Sequence, residues 1–138
     1  MPENIKAELP LSGIRVYEIG TSVAAPFGTW ILAAMGAEVI KVEPKGRGDD
    51  CRHWGPPFWN GTSAMFQALN RDKKSVTVDL KDPKDKAWLR NEMVNKADVV
   101  LQNMRPGKVA SLGLGAEEVC KEIVLTIPSE FVKLTTTW

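Results

Sequence analysis

The residues best suited to chemistry lie in a polar stretch that follows an apolar run, within GAEVIKVEPKGRGDDCRHWGPP from Gly36 to Pro57. This stretch contains His53, the one histidine of the chain. An imidazole can act as a general acid or base near neutral pH, because its pKa lies in that range. A lone histidine beside Trp54 in a proline-rich loop is more often packed or solvated, so we do not assign catalysis to it.

Acidic side chains are the second source of proton-transfer chemistry. No two of them show a spacing that requires a paired acid and base. The candidates are Glu18, Glu43, Asp49, Asp50 and Asp79. We therefore expect each of them to be an ordinary structural or surface carboxylate.

Basic and aromatic side chains also have ordinary interpretations. Lys73 and Lys74 could bind a phosphate, but a charge run before a strand usually lies on a solvated face, and we favour that interpretation. Trp30 and Trp88 fall at helical spacing, so we expect both of them in the core.

Composition narrows the class of protein. The chain has 138 residues, of which 43% are hydrophobic, and this is enough for one domain with a buried core. A net charge of +1 argues against a nucleic-acid partner. Cys51 and Cys120 lie far apart with no CxxC spacing and no histidine cluster, so we predict no metal, no disulfide and reduced thiols. With no long apolar segment and no export signal at MPENIKAELP, we also predict no membrane association and a cytoplasmic location.

Strand-like and helix-like patterns alternate along the chain, and these elements must position the polar loops. We predict strands at residues 14–19, 39–42, 75–80 and 97–103. One helix should begin at Pro26 and end at Gly36, and a short one should follow a cap at Thr62 or Ser63. A third should begin at Asp82 and Pro83 and end near residue 96, and a fourth should lie within RPGKVASLGLG. This order predicts an α/β fold with a Rossmann-like parallel sheet flanked by helices.

The loops after the strands should carry any chemistry, because ligands bind at the carboxyl edge of a parallel sheet. The first loop, GTSVAAP, has small side chains that would let a ligand approach the backbone. It is not GxGxxG, and Glu43 resembles a ribose-binding acid only in position, so a nicotinamide dinucleotide is disfavoured. Ala24 and Ala25 could equally serve only tight packing of a helix on a strand. The residues alone predict a small-molecule or nucleotide site and leave its ligand open.

Three segments, in the right order, resemble the N-terminal part of the class III coenzyme A transferases, a group that includes α-methylacyl-CoA racemase. They are LSGIRVYEIGTSVAAPFGTWILAAMGAEVIKVEPKGRGDDCRHWGPP, NRDKKSVTVDLKDP and ADVVLQNMRPGKVASLGLG. The resemblance implies a truncated half of the large Rossmann-like domain of that family. We expect a CoA-binding part at residues 1–122 and a divergent tail at residues 123–138.

The resemblance also implies where coenzyme A (CoA) would lie. In the family, the strand-ending loops hold the adenine nucleotide and the pantetheine of CoA. The matching positions in this chain are Ser22, Val23, Ala24, Lys45, Val78, Lys81, Asn103, Met104 and Arg105. Pro44 and Ser111 stand where family members often have arginine.

The function implied by the resemblance is that of the CoA-binding portion of an acyl-CoA:carboxylate CoA-transferase, with an acyl-CoA and a carboxylic acid as substrates. In the family an aspartate attacks the thioester to form a covalent intermediate. We expect that aspartate beyond the end of this chain, so that the chain has no catalytic residue and is inactive alone. Two alternatives remain, a CoA-dependent racemase and a non-catalytic remnant that binds nucleotide or another protein. Family members are homodimers, and we expect a homodimer or higher assembly.

Overall fold

The computed structural model describes residues 9–123, and these form an α/β fold with a parallel sheet at its centre. The strands, in chain order, are β1 Arg15–Ile19, β2 Glu38–Pro44, β3 Phe58–Trp59, β4 Thr62–Ser63, β5 Lys74–Val78 and β6 Val99–Gln102. The helices are α1 Ala24–Ala34, α2 Ala64–Leu69, α3 Pro83–Lys96, α4 Lys108–Ser111 and α5 Ala116–Ile123, and a 3-10 turn occupies Asp50–His53. This architecture confirms the predicted fold class.

The central sheet has four parallel strands in the order β5-β2-β1-β6. Val16 lies opposite Val39 of β2 on one side and Val99 of β6 on the other. Pro44 at the end of β2 lies opposite Val78 at the end of β5. Because all four strands run in the same direction, the loops that follow them meet at one edge of the sheet.

Local sequence accounts for where two of the helices begin. The Asp82 side chain accepts a hydrogen bond from the Lys84 amide at 2.8 Å, and Pro83 is the first residue of α3. The Ser63 hydroxyl accepts one from the Phe66 amide at 3.0 Å at the start of α2. Both helix starts confirm the predictions.

Other boundaries differ from the prediction. Helix α1 begins at Ala24, two residues before Pro26, because a proline fits anywhere in the first turn, where its missing N–H leaves no bond unmade. The antiparallel pair β3 and β4 and the 3-10 turn were not predicted, since each is too short for a periodic pattern. Residues 124–138, most of the predicted tail, lie outside the described residues.

The two faces of the sheet carry different cores. On the face covered by α3 and α5, Tyr17, Val42, Leu89 and Met93 belong to one buried apolar cluster. On the α1 face a smaller cluster is centred on Val16, Ala37 and Val39. Towards the carboxyl edge, the α1 face changes from apolar to charged. Glu18 of β1 lies opposite Lys41 of β2, Glu43 follows two residues later on β2, and each of the three is no more than 2% exposed.

Candidate functional site

The carboxyl edge of the sheet brings the predicted site residues together. They occupy the loop after β1, the first residue of α1, the loop after β2, the last residue of β5 with its following loop, and the loop after β6. In that order they are Ser22, Val23, Ala24, Lys45, Val78, Lys81, Asn103, Met104 and Arg105. All nine therefore lie at the edge where open α/β sheets bind ligands.

Asn103 joins the loop after β6 to the loop after β1. Its Oδ1 accepts a hydrogen bond from the Thr21 amide at 3.0 Å, and its Nδ2 donates to the Thr21 carbonyl at 2.9 Å. Gly20 makes this approach feasible, because a Cβ there would overlap the Cβ of Ala25 and lie 3.0 Å from Asn103 Oδ1. Asn103 thus orders the first loop, in addition to any contact it makes with a ligand.

Ser22 adopts the left-handed backbone conformation, with a φ of 69°. This conformation costs a residue with a side chain about 1–2 kcal/mol, so the surrounding structure must stabilise it. Asp49 supplies part of that stabilisation, because its Oδ1 accepts hydrogen bonds from the Ser22 amide at 3.1 Å and the Cys51 amide at 2.9 Å. The first loop is therefore bonded on one side to Asn103 and on the other to Asp49.

A buried ionic cluster lies directly beneath the first loop. Lys41 Nζ is 2.7 Å from Glu18 Oε1 and 2.8 Å from Asp49 Oδ2, and it donates to the Gly20 carbonyl at 3.1 Å. The side chains of Lys41, Glu18 and Asp49 are at most 1% exposed. Buried charges are tolerated only when they are paired and hydrogen-bonded, and each charge here has partners.

Lys73 completes this cluster from the loop before β5. Its Nζ lies 2.8 Å from Glu18 Oε2 and donates to the Pro26 carbonyl at 2.8 Å, and the Thr29 hydroxyl donates to the same Glu18 oxygen at 2.6 Å. Burial lowers the pKa of Lys73, and the neighbouring Glu18 opposes that effect. Two basic and two acidic side chains, Lys41 and Lys73 with Glu18 and Asp49, make the cluster neutral overall.

Glu43 forms a second ionic contact beside the cluster. Arg52 binds it through two nitrogen atoms at 2.7 Å each, Ser75 donates at 2.6 Å, and the Asp49 amide donates at 2.9 Å. Burial would raise the pKa of Glu43, but these donors outweigh it and lower the pKa to about 2. Gly48, with a φ of 69°, packs against Arg52 and Glu43 where a Cβ would be too close to both.

The carboxyl edge also has exposed basic side chains, and unlike the buried lysines of the cluster they have no acidic partner among residues 9–123. Lys45, Lys81 and Arg105 are exposed, and within residues 9–123 their side chains form no ion pair. Lys45 is adjacent to β5, since its amide donates to the Val78 carbonyl at 3.3 Å. Free cations beside a polar loop are suited to binding an anion.

The sequence of this chain matches CoA-transferase family III over residues 11–123. The chain belongs to this family. Succinyl-CoA:glutarate CoA-transferase of Mus musculus is 46% identical over 112 residues, which are 81% of this chain and 26% of that protein. Succinyl-CoA–D-citramalate CoA-transferase of Chloroflexus aurantiacus is 46% identical over 110 residues, which are 80% of this chain and 27% of that protein.

Solved structures of the family share the fold. A CAIB/BAIF family protein from Brucella suis superposes with a TM-score of 0.77 at 38% identity, covering 83% of this chain and 31% of that chain. This CoA-transferase family III chain spans about a quarter of the length of the curated relatives named above. These findings confirm the family resemblance and the Rossmann-like architecture.

Two expectations about single residues were wrong. The Lys73 side chain is 2% exposed and lies in the ionic cluster, whereas Lys74 is 71% exposed as predicted. Trp88 was expected in the core but is 44% exposed. His53 is exposed, with Nε2 3.2 Å from the Arg47 carbonyl oxygen.

The buried ionic layer formed by Glu18, Lys41 and Glu43 on the α1 face was also not predicted. Strands of a parallel sheet that are covered on both faces usually read as continuous apolar runs. Charged residues interrupt the apolar runs of β1 and β2 at positions that share one face of the sheet, namely Glu18, Lys41 and Glu43. That pattern could have predicted a charged layer on one face. Lys73 carries no such pattern, because it lies before its strand rather than in it.

Two kinds of feature are absent from the part of the chain that the structure describes. Within residues 9–123 no helix is long and apolar enough to cross a membrane. The same residues contain no group of three or more histidine, cysteine or acidic side chains placed to hold a metal ion.

Proposed function

We propose that this chain is the CoA-binding portion of an acyl-CoA:carboxylate CoA-transferase. One observation carries the proposal. At the carboxyl edge of the sheet, the loop after β1, which has small side chains and is held by hydrogen bonds to Asn103 and Asp49, lies among exposed basic side chains in a chain of this family. Coenzyme A needs both features, because its pantetheine must pass close to a backbone and its phosphates are anionic.

The spacing of the cations supports an extended ligand. Lys81 follows β5 and Arg105 follows β6, the two outer strands of the four-stranded sheet. Adjacent strands lie about 4.8 Å apart, so these loops are separated by about 14 Å along the edge. A molecule as long as CoA can reach the cations at the β5 side and the first loop at the centre.

The acyl donor and acceptor follow from the family. We propose an acyl-CoA as the donor and a carboxylic acid as the acceptor, because both curated relatives described above are named for transfer from succinyl-CoA to a dicarboxylate. Those names also favour transfer over racemisation. A dicarboxylic acid is therefore the acceptor class to test first.

Catalysis by this chain alone is not part of the proposal. Among residues 9–123, Asp49 is fully buried, forms an ion pair with Lys41 and accepts hydrogen bonds from two amides, and Asp50 pairs with Arg47 at 3.0 Å. A nucleophilic carboxylate must be free to attack a thioester carbon, and neither aspartate is placed for that role. We propose that the chain binds CoA and requires further protein for acyl transfer.

Self-association is a further part of the proposal. Val23, Phe27, Ile31 and Met35 follow one another at four-residue intervals and are each 39–48% exposed, so they form an apolar stripe along α1. Trp59, at 70% exposed, adds to the apolar surface elsewhere. Such surfaces favour association, and we propose a homodimer or higher assembly. A cytoplasmic location is a separate part of the proposal.

Calorimetric titration of the chain with CoA at low salt tests the binding proposal. Saturable binding should weaken about tenfold in Lys81→Ala, which removes one charge-assisted contact at the carboxyl edge. Lys74→Ala is the matched control, because Lys74 begins the same strand at the opposite edge and should leave the affinity unchanged. Absence of binding by the folded chain, or an equal loss in both variants, would contradict the proposal.

A further inference from the structure

We infer that Asp49 is a positioning residue for the CoA site: it holds Ser22 in the left-handed conformation, so that the first loop presents its backbone to the ligand. The inference rests on the proposed function, because the ligand of this loop is taken to be CoA. Asp49 itself is fully buried and has no exposed surface for a ligand.

The contacts of Asp49 reach three separate parts of the site. One oxygen, Oδ1, accepts from the Ser22 and Cys51 amides, and the other, Oδ2, lies 2.8 Å from Lys41 Nζ. Its own amide donates to Glu43 at 2.9 Å. Asp49 therefore connects the loop after β1, the 3-10 turn and strand β2 through a single side chain and its backbone.

Ser22, whose backbone is strained, is the residue of the first loop that Asp49 contacts. Ser22 has a positive φ although it is not glycine, and such residues persist only where their surroundings determine them. Lys41 supports the same loop from below through the Gly20 carbonyl, two residues away. The carboxylate and the lysine thus bond successive peptide groups of one loop, and the burial of both keeps water from competing for those bonds.

A purely structural role would predict a different behaviour. If Asp49 only stabilised the fold, any variant with an equal loss of stability would weaken CoA binding equally. If it positions the loop, its removal weakens CoA binding beyond the loss of folded protein, and an isosteric acceptor restores it.

The first measurement follows amide hydrogen exchange in the unliganded chain by NMR. The Ser22 amide should exchange slowly in the wild-type chain and rapidly in Asp49→Ala, while Asp49→Asn, which retains an acceptor oxygen, should keep the protection. A Ser22 amide that exchanges in the wild-type chain as fast as an open loop would overturn the inference. This result is independent of whether CoA binds, so it remains informative if the proposed function fails.

The second measurement compares CoA affinities by calorimetry. We expect Asp49→Ala to raise the Kd about tenfold, the effect of losing one ordering hydrogen bond. Asp49→Asn should raise it less, because it keeps the acceptor for the Ser22 amide although it places an NH2 group against Lys41 Nζ. Leu89→Ala is the control for stability, since Leu89 is fully buried in the apolar cluster on the opposite face of the sheet. The inference would be overturned if Leu89→Ala weakened CoA binding as much as Asp49→Ala, or if Asp49→Asn bound CoA no better than Asp49→Ala. If Asp49→Ala does not fold, the CoA affinity of Asp49→Asn and the exchange rate of the Ser22 amide in the wild-type chain decide between the two roles.

Discussion

Replacing Glu43 by glutamine measures what the buried ionic layer contributes to stability. The carboxylate accepts two bonds from Arg52, one from Ser75 and one from the Asp49 amide, at 2.6–2.9 Å. Burial acts to raise its pKa, and the donors lower it from 4.5 to about 2. At about 1.4 kcal/mol for each unit of pKa, the ionised side chain contributes about 3 kcal/mol to the free energy of unfolding at neutral pH.

The pH dependence of this contribution has a definite sign. Because the native pKa lies below the unfolded value, the contribution is complete above about pH 4.5 and is lost as the pH falls towards about 2. Glu43→Gln should therefore unfold with about 3 kcal/mol less free energy than wild type at pH 7, and about 1 kcal/mol less at pH 3. Urea unfolding followed by tryptophan fluorescence measures both differences.

A matched control separates this buried contact from surface electrostatics. Glu38 pairs with Arg15 and Lys74 at the other end of β2, with its side chain 33% exposed. Glu38→Gln should change the free energy of unfolding by less than about 1 kcal/mol, as exposed ion pairs do. An equally small effect of Glu43→Gln at pH 7, or the same effect at pH 7 and pH 3, would show that the ionised Glu43 carboxylate does not stabilise the fold as stated.

Three further predictions concern the first loop and its surroundings. Asn103→Ala should lower the free energy of unfolding by about 1–2 kcal/mol in urea, because two hydrogen bonds to Thr21 are lost; an unchanged value would mean that water replaces them fully. Gly20→Ala should cost about 1–3 kcal/mol in the same assay, since the new Cβ overlaps Ala25, and wild-type stability would show that the loop can move aside. Burial, followed by the nearby Asp49, raises the pKa of the Cys51 thiol, so in a chain whose other cysteine is replaced, Cys51 should react with a thiol reagent at pH 8 only after urea is added. Rapid labelling without urea would contradict the burial of Cys51.

The parts of the fold that were predicted well are those with a strong local cause. Helix α3 begins with a capping aspartate and a proline, and those two residues determine its start whatever surrounds them. The four strands of the sheet contain apolar residues that are often β-branched, and β1 and β2 also lie between glycine or proline residues. The alternation of these strands with helices implies a parallel sheet. The fold class and the edge that carries the loops follow from these elements alone.

The site was predicted less completely, because its contacts join residues far apart in the chain. Nothing local to Lys73 indicates that it will meet Glu18, which lies 55 positions earlier. The bonds from Ser22 to Asp49 and from Thr21 to Asn103 likewise exist only once the sheet has formed. The family resemblance offered Ser22 and Asn103 as candidate CoA contacts, but it did not indicate that Asp49 or Lys41 would bond to the first loop.

Amide chemical shifts recorded by NMR during a titration of the chain with CoA test whether CoA binds at the carboxyl edge of the sheet. We expect saturable shifts at that edge, at Ser22, Lys81 and Arg105, with Arg15 and Lys74 at the opposite edge unchanged. No saturable shifts, or shifts concentrated at the opposite edge, would contradict the claim that this edge binds CoA.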